Sequence, residues 1–101
     1  MSMDISSLKE GTKKEKVDVS GVVARKEETR TVNLRAGGTA KVAKVLLKDS
    51  SGQIALVLWN EDIDRVSENS LVAVSNGYVT NWKGELQLNV GKFGKFTVDG
   101  N

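Results

Sequence analysis

The chain of 101 residues is long enough for one domain, because a chain of this size buries about 60–70% of the surface that its unfolded state exposes. It contains no cysteine and no histidine, which excludes disulfides, thiolate metal sites and histidine-based catalysis. Lysine and arginine number 15 against 13 aspartate and glutamate residues, and the net charge of +2 permits a polyanionic partner without requiring one. We expect no cofactor and no bound metal.

The chain has no segment that suggests a membrane or secretion. No apolar run approaches the ~18–20 residues that a membrane span needs, and the N-terminus lacks the basic start and apolar core of a signal peptide. No repeat or low-complexity segment divides the sequence. We therefore expect an intracellular protein that forms a single domain over residues 1–101.

The N-terminal part of the chain combines a helical turn with a first strand. Residues 4–10 predict a short helical turn that ends at Gly11 and plugs one end of the domain through Ile5 and Leu8. Valine-rich residues 17–23 follow as a strand, and Gly21 within them indicates a bulge or bend.

The clearest strands lie in the middle of the chain, where apolar residues alternate. Residues 39–48 and 53–59 each place one apolar set on one face, and the turn 49–52 joins them. The core sets are Ala43, Val45 and Leu47 on the first of these strands and Ile54, Leu56 and Leu58 on the second. Trp59 lies opposite its core set and is predicted to be off the core face.

A short helix is predicted after Trp59. Asn60 is a favourable N-cap, Asp62 suits the positive end of the helix dipole, and Ile63 and Val66 fall on one side. Strands at 71–82 and 85–98 complete the chain, and either Phe93 or Phe96 is expected to fill the core.

Asn76-Gly77 allows two interpretations. The pair is a strong hairpin signal, which would divide the strand 71–82 at a two-residue turn. Alternatively, Gly77 is a bend within one long strand, as the closure of a small barrel requires. With one continuous strand here, five strands and a short helix between the third and the fourth predict an all-β, five-stranded OB-fold barrel.

Three stretches carry a resemblance to a known family: residues 47–59 (LKDSSGQIALVLW), 76–84 (NGYVTNWKG) and 85–91 (ELQLNVG). They resemble the OB domains of archaeal single-stranded DNA-binding proteins and archaeal replication protein A, and are similar to the human-type simple single-strand binders. The likeness runs from about Leu8 to Val98 and favours the bend at Gly77. It implies non-catalytic binding of single-stranded DNA in replication, repair or recombination, in the cytoplasm of an archaeon or the nucleus of a eukaryote.

In that family, aromatic residues at the end of the third strand and along the fourth stack on bases. The matching residues here are Trp59, Tyr78 and Trp82, and stacking contributes about 1–3 kcal/mol per base regardless of sequence. Protein partners would be other replication or repair proteins. Simple members recruit them through a Gly-rich or acidic tail. This sequence stops at Asn101, so either it is one module of a longer protein or the tail is absent.

Charged and amide residues complete the predicted site. Two loops flank the nucleic-acid site of OB folds, and we expect phosphate contacts from the basic residues near them: Arg30, Arg35, Lys41, Lys44 and Lys83. Each could equally be ordinary surface charge. Gln87 and Asn89 project outward from the fifth strand, where their amides could contact base edges or simply coat the surface.

Other motifs and functions are weaker. Residues 91–94 match the GxxG of KH domains, but that motif needs a helix on each side and both flanks here are strands. Asp62 with Asp64, or Glu27 with Glu28, lack the third converging carboxylate that a nuclease site would need. Two alternatives stay open: an OB domain that binds RNA or tRNA, and an OB protein-interaction module of a replication complex.

Overall fold

A computed structural model describes residues 4–8 and 17–99 of the chain; the side chains of Trp82, Gly91, Lys92, Phe93 and Asp99 lie outside that description. The described part contains six strands, one short 3-10 turn and one short helix. In chain order these are the turn Ile5–Ser7, β1 Val17–Lys26, β2 Arg30–Asn33, β3 Thr39–Lys48, β4 Gln53–Trp59, α1 Glu61–Asp64, β5 Leu71–Trp82 and β6 Glu85–Asp99.

The strands form one sheet that closes on itself. Their order is β1-β5-β6-β4-β3-β2, and β1 also pairs with β3, so that β1, β5, β6, β4 and β3 make a ring. All pairs are antiparallel except β4 with β6, which run parallel. With α1 between the third and fourth strands of the ring, this is the arrangement that the sequence predicted for an OB fold.

The short strand β2 was not predicted. It pairs with residues 39–42 of β3 and forms a hairpin arm whose turn contains Gly37 and Gly38, with φ angles of 99° and 80°. Val32 is the one half-buried residue of β2, and the other three are exposed. The strand therefore lacks the apolar alternation by which sequence analysis recognises strands, and its pairing with β3 defines it.

The interior of the ring holds the residues that the alternation assigned to it. Ala43, Val45 and Leu47 of β3 and Ile54, Leu56 and Leu58 of β4 all belong to the buried core. Ile5 and Leu8, from the N-terminal turn, are also buried there, while residues 9 and 10 lie outside the described residues. Phe96 is buried as well. Full burial of one such aliphatic or aromatic side chain is worth about 1.5–3 kcal/mol, which makes this core the main source of stability.

The bend interpretation of Asn76-Gly77 is correct. β5 runs without interruption from Leu71 to Trp82, and its register with β6 shifts between Ser75 and Gly77. Asn76 takes a φ of 56° at this bulge, a conformation that asparagine tolerates better than most residues. A Cβ on Gly77 would lie 2.8 Å from the backbone oxygen of Asn89, so the close approach of β5 to β6 requires glycine.

The helix α1 is short, and Asn60 holds its N-cap position as predicted but does not cap it with its side chain. The Asn60 Oδ1 accepts the Lys41 N–H at 3.1 Å and so closes the end of β3 against β4. Ile63 and Val66 are buried as predicted. Lys26 Nζ donates to their backbone carbonyl oxygens at 2.9 and 2.8 Å, which gives two carbonyl groups at the end of the helix a hydrogen-bond partner. No helix of the described residues is long and apolar enough to cross a membrane.

The turn between β3 and β4 is organised by Asp49. One carboxylate oxygen accepts the backbone N–H and the hydroxyl of Ser51 at 2.7 and 2.6 Å, and the Gly52 N–H at 3.0 Å. The other accepts the N–H of Ile5 at 2.9 Å, which ties the N-terminal turn to the ring. The Ser51 hydroxyl, followed by the Ile5 N–H, lowers the pKa of Asp49 to about 2.

Candidate functional site

The outward side chains of four neighbouring strands form one surface, which we call the outer face. The register aligns Lys44, Val57, Asn89 and Tyr78 across β3, β4, β6 and β5, and the next row contains Leu46, Ala55, Gln87 and Thr80. Directly paired residues lie on the same side of a sheet. The outer face therefore comprises Val42, Lys44, Leu46, Ala55, Val57, Trp59, Tyr78, Thr80, Glu85, Gln87 and Asn89.

Trp59 is the large exposed side chain at one end of this face. It occupies the last position of β4, opposite Val42, and is 45% exposed. The two outward residues nearest to it on β4, Ala55 and Val57, are small and almost fully covered, while Gln53 at the other end of the strand is exposed. An aromatic ring left open on a surface of small side chains has the shape needed to stack against a planar ligand.

Tyr78 and Trp82 lie further along the same surface. Tyr78 is half-buried and pairs with Asn89 on β6. It is two strands and two residues away from Trp59, which corresponds to roughly 12 Å between their Cα atoms. The backbone of Trp82 pairs with Glu85 at the end of β5, while its side chain lies outside the described part. By register, the three positions run diagonally across the outer face; a groove shared by their rings stays a prediction.

The basic residues divide between the outer face and its surroundings. Arg30 is exposed and pairs with Val42, the partner of Trp59, so it lies on the same face two strands away. Arg35 is exposed in the β2–β3 turn. Lys41 is exposed, but strand alternation places it on the opposite side of β3 from Val42.

Lys83 lies at the other end of the molecule, in the turn between β5 and β6. It is exposed, takes a φ of 51° and is followed by Gly84, with a φ of 87°. The Asn81 side chain closes this turn by accepting the Gly84 N–H at 2.9 Å. The turn thus holds Lys83 next to Trp82, the last of the three aromatic positions.

Lys44 is already ion-paired. Its Nζ lies 3.0 Å from Oε1 of Glu85, although β4 separates their strands. Gln87 donates its amide to the same oxygen at 2.8 Å, and that bond, followed by Lys44, lowers the pKa of Glu85.

The two predicted amides belong to this network. Gln87 and Asn89 are half-buried, and Asn89 Nδ2 donates to Thr80 Oγ1 at 3.1 Å. Glu85 was missed as a candidate residue. Alternation groups it with Gln87 and Asn89, but only the register brings Lys44, 41 positions earlier, to its carboxylate.

The acidic side chains that the structure describes do not converge on a metal site. Asp62 Oδ1 lies 3.7 Å from Arg65 in the same helical segment, and Glu27 and Glu28 are exposed in the loop before β2. Within residues 4–8 and 17–99, no group of three acidic side chains could hold a metal ion. The GxxG at 91–94 lies inside β6, without flanking helices.

Comparison with known proteins agrees with this arrangement. The single-stranded DNA binding protein Ssb of Saccharolobus solfataricus is 29% identical over 77 residues, or 76% of this chain and 51% of that protein. The matching region thus spans about half the length of that relative.

Two solved structures share the fold. The second OB-fold domain of replication protein A from Methanococcus maripaludis has a TM-score of 0.76 and 24% identity, and the match covers 97% of this chain and 94% of that one. DNA binding domain A of replication protein A from S. cerevisiae has a TM-score of 0.74 and 18% identity, with coverage of 99% and 95%.

A family model decides the assignment. The model for single-stranded DNA binding protein Ssb-like, OB fold, matches residues 9–98, which include the ring of strands and the outer face. This chain therefore belongs to the Ssb-like OB-fold family of single-stranded DNA-binding proteins.

Proposed function

We propose that the chain binds single-stranded DNA along the outer face and carries out no chemistry on it. Bases stack on Trp59, Tyr78 and Trp82, and phosphates are neutralised by cations at the two ends of the face. Family membership supports this proposal, and one structural observation carries it. Trp59 is 45% exposed, whereas Ala55 and Val57, the outward residues of β4 nearest to it, are nearly covered.

The cations suit a strand that crosses the face. Arg30 lies two strands from Trp59, Arg35 lies in the turn of the same β2–β3 hairpin, and Lys83 lies in the turn that follows Trp82. A chain that passes over the aromatic positions would thus meet positive charge at both ends. Each such phosphate contact adds about 0.7 to the steepness with which log K falls against log salt for single strands. A few contacts therefore make the affinity fall measurably as salt rises.

Selectivity for single strands follows from stacking. Paired bases in a duplex hide the faces that stack on aromatic rings, so duplex DNA should bind weakly. Stacking itself tolerates every base, since each has a π-face, and the sequence preference should be modest.

Tryptophan emission during titration with oligo-dT tests the proposal. Stacking on Trp59 should quench the emission, and Trp59→Ala should weaken binding by about 1–3 kcal/mol, the value of one stacked base. Trp82→Ala should weaken it similarly. Leu71→Ala is the matched control: Leu71 is 46% exposed, but it pairs with β1 and the far end of β6, away from the outer face.

Two results would contradict the proposal. One is a titration at micromolar protein that leaves the emission unchanged; the other is a Trp59→Ala variant that binds as tightly as the Leu71→Ala control. Competition with RNA of the same sequence distinguishes DNA binding from the RNA-binding alternative.

A further inference from the structure

The amide side chains of β6 on the outer face are held in place by hydrogen bonds that their nitrogens donate. Gln87 Nε2 donates to the Glu85 carboxylate at 2.8 Å, and Asn89 Nδ2 donates to Thr80 Oγ1 at 3.1 Å. Each amide orientation is fixed by a neighbour that can only accept a hydrogen bond. For Gln87 this neighbour is the Glu85 carboxylate, and for Asn89 it is the backbone oxygen of Gln87, 3.4 Å from Nδ2. The amide oxygens of Gln87 and Asn89 are thus left to accept hydrogen bonds from a ligand.

Glu85, on the same side of β6 as Gln87 and Asn89, adds a charged hydrogen-bond acceptor to these two amide oxygens. Its bonds to Lys44 and Gln87 both fall on Oε1, which leaves Oε2 for a ligand, and its side chain is 48% exposed. The same two bonds lower the pKa of Glu85, so the carboxylate stays ionised at neutral pH and can only accept.

A row of acceptors discriminates between bases of the same size. Cytosine carries an amino group at N4, which carboxylates accept from, whereas thymine carries the acceptor O4 at the same position. Glu85 pairs with Trp82 and Asn89 pairs with Tyr78. A pyrimidine stacked at either aromatic position would therefore have β6 as its neighbour across the sheet.

We propose that Glu85, supported by Gln87 and Asn89, is a specificity-determining residue that makes the outer face prefer cytosine over thymine in single-stranded DNA. This inference rests on the proposed function and adds a modest preference to sequence-tolerant stacking. The Lys44–Glu85 contact has a second consequence, because it leaves Lys44 less available for phosphate.

Fluorescence anisotropy with labelled oligo-dC and oligo-dT, at equal salt and mildly alkaline pH, tests the proposal. Oligomers of about 12 nucleotides fall within the range that one OB domain covers. The wild-type chain should bind oligo-dC about fivefold more tightly, the lower end of the discrimination that one good base contact provides. In Glu85→Gln this ratio should fall below about twofold, because the new amide can donate to thymine O4.

The ratio is the informative quantity, because Glu85→Gln also frees Lys44 and should raise the affinity for both oligonucleotides. Glu68→Gln is the matched control: it removes the same charge, but Glu68 contacts the Lys26 N–H at 3.3 Å, away from the outer face. This variant should keep the wild-type ratio.

Equal wild-type affinities for the two oligonucleotides would overturn the inference and leave single-strand binding intact. An unchanged ratio in Glu85→Gln would do the same. Failure to bind either oligonucleotide would instead refute the proposed function, and this inference with it.

Discussion

Gly77 is the residue on which the path of β5 depends, and its replacement by alanine provides a sharp test of the fold. The added Cβ would lie 2.8 Å from the Asn89 backbone oxygen, 3.0 Å from Val74 Cγ1 and 3.3 Å from Leu88 Cδ1. The first contact is with backbone, so relief requires β5 and β6 to separate locally. Such overpacking costs about 1–3 kcal/mol. Alanine restricts the unfolded chain and recovers about 0.4–1 kcal/mol of this.

From the middle of both ranges, the net expectation for Gly77→Ala is a loss of about 1.3 kcal/mol, or roughly 5–10 °C in Tm for a domain of this size. Thermal unfolding followed by circular dichroism measures it. Gly52→Ala is the control, because its Cβ would meet Ser6 at an ordinary 3.6 Å and the backbone there suits any residue. If Gly77→Ala melts no lower than Gly52→Ala, the close approach of β5 and β6 is wrong.

Three further predictions concern single side chains. The folded pKa of Asp49 is about 2, below its ordinary 3.8, so its stabilisation is complete above pH 3.8 and is lost as the pH falls toward 2. The Tm difference between wild type and Asp49→Asn should shrink over that window, and a constant difference would contradict the assignment. Lys26→Met leaves two carbonyl oxygens at the end of α1 without their donor and should cost about 1–3 kcal/mol in urea unfolding. The exposed Lys95→Met should change stability by less than about 0.5 kcal/mol. For DNA binding, Arg30→Ala should reduce the slope of log K against log salt by about 0.7, and Lys44→Ala by less, since Lys44 already has a carboxylate partner; equal reductions would argue against that pairing in solution.

The strands of the ring were predictable wherever apolar residues alternate. Residues 39–48 and 53–59 were assigned with the bounds that the structure has, because a strand with one buried face must repeat every two residues. The same pattern placed Trp59 off the core face. The continuous strand 71–82 was chosen from the family resemblance, since alternation did not settle it. β2 was not predicted because it buries only part of one side chain and so shows no apolar alternation. It is a strand because it pairs with β3.

The local signal at Asn76-Gly77 did not distinguish a turn from a bulge. Both use the positive φ of Asn76, and the choice depends on whether β6 lies beside the whole length of β5. Asn60 shows the same dependence: its side chain could cap α1, but the end of β3 offers it the Lys41 N–H instead. Short polar side chains bond to whichever backbone group the fold brings near.

The sequence by itself determined the fold class, the inward and outward sides of the main strands and the candidate aromatic residues, since these follow from local periodicity and from the family motifs. Only the tertiary structure decided which charges meet. Lys44, Glu85 and Gln87 come together because the parallel pairing of β4 with β6 sets a register across three strands. A shift of one residue in that register would turn the side chains of β6 to the other side of the sheet, and no pattern within a single strand fixes it.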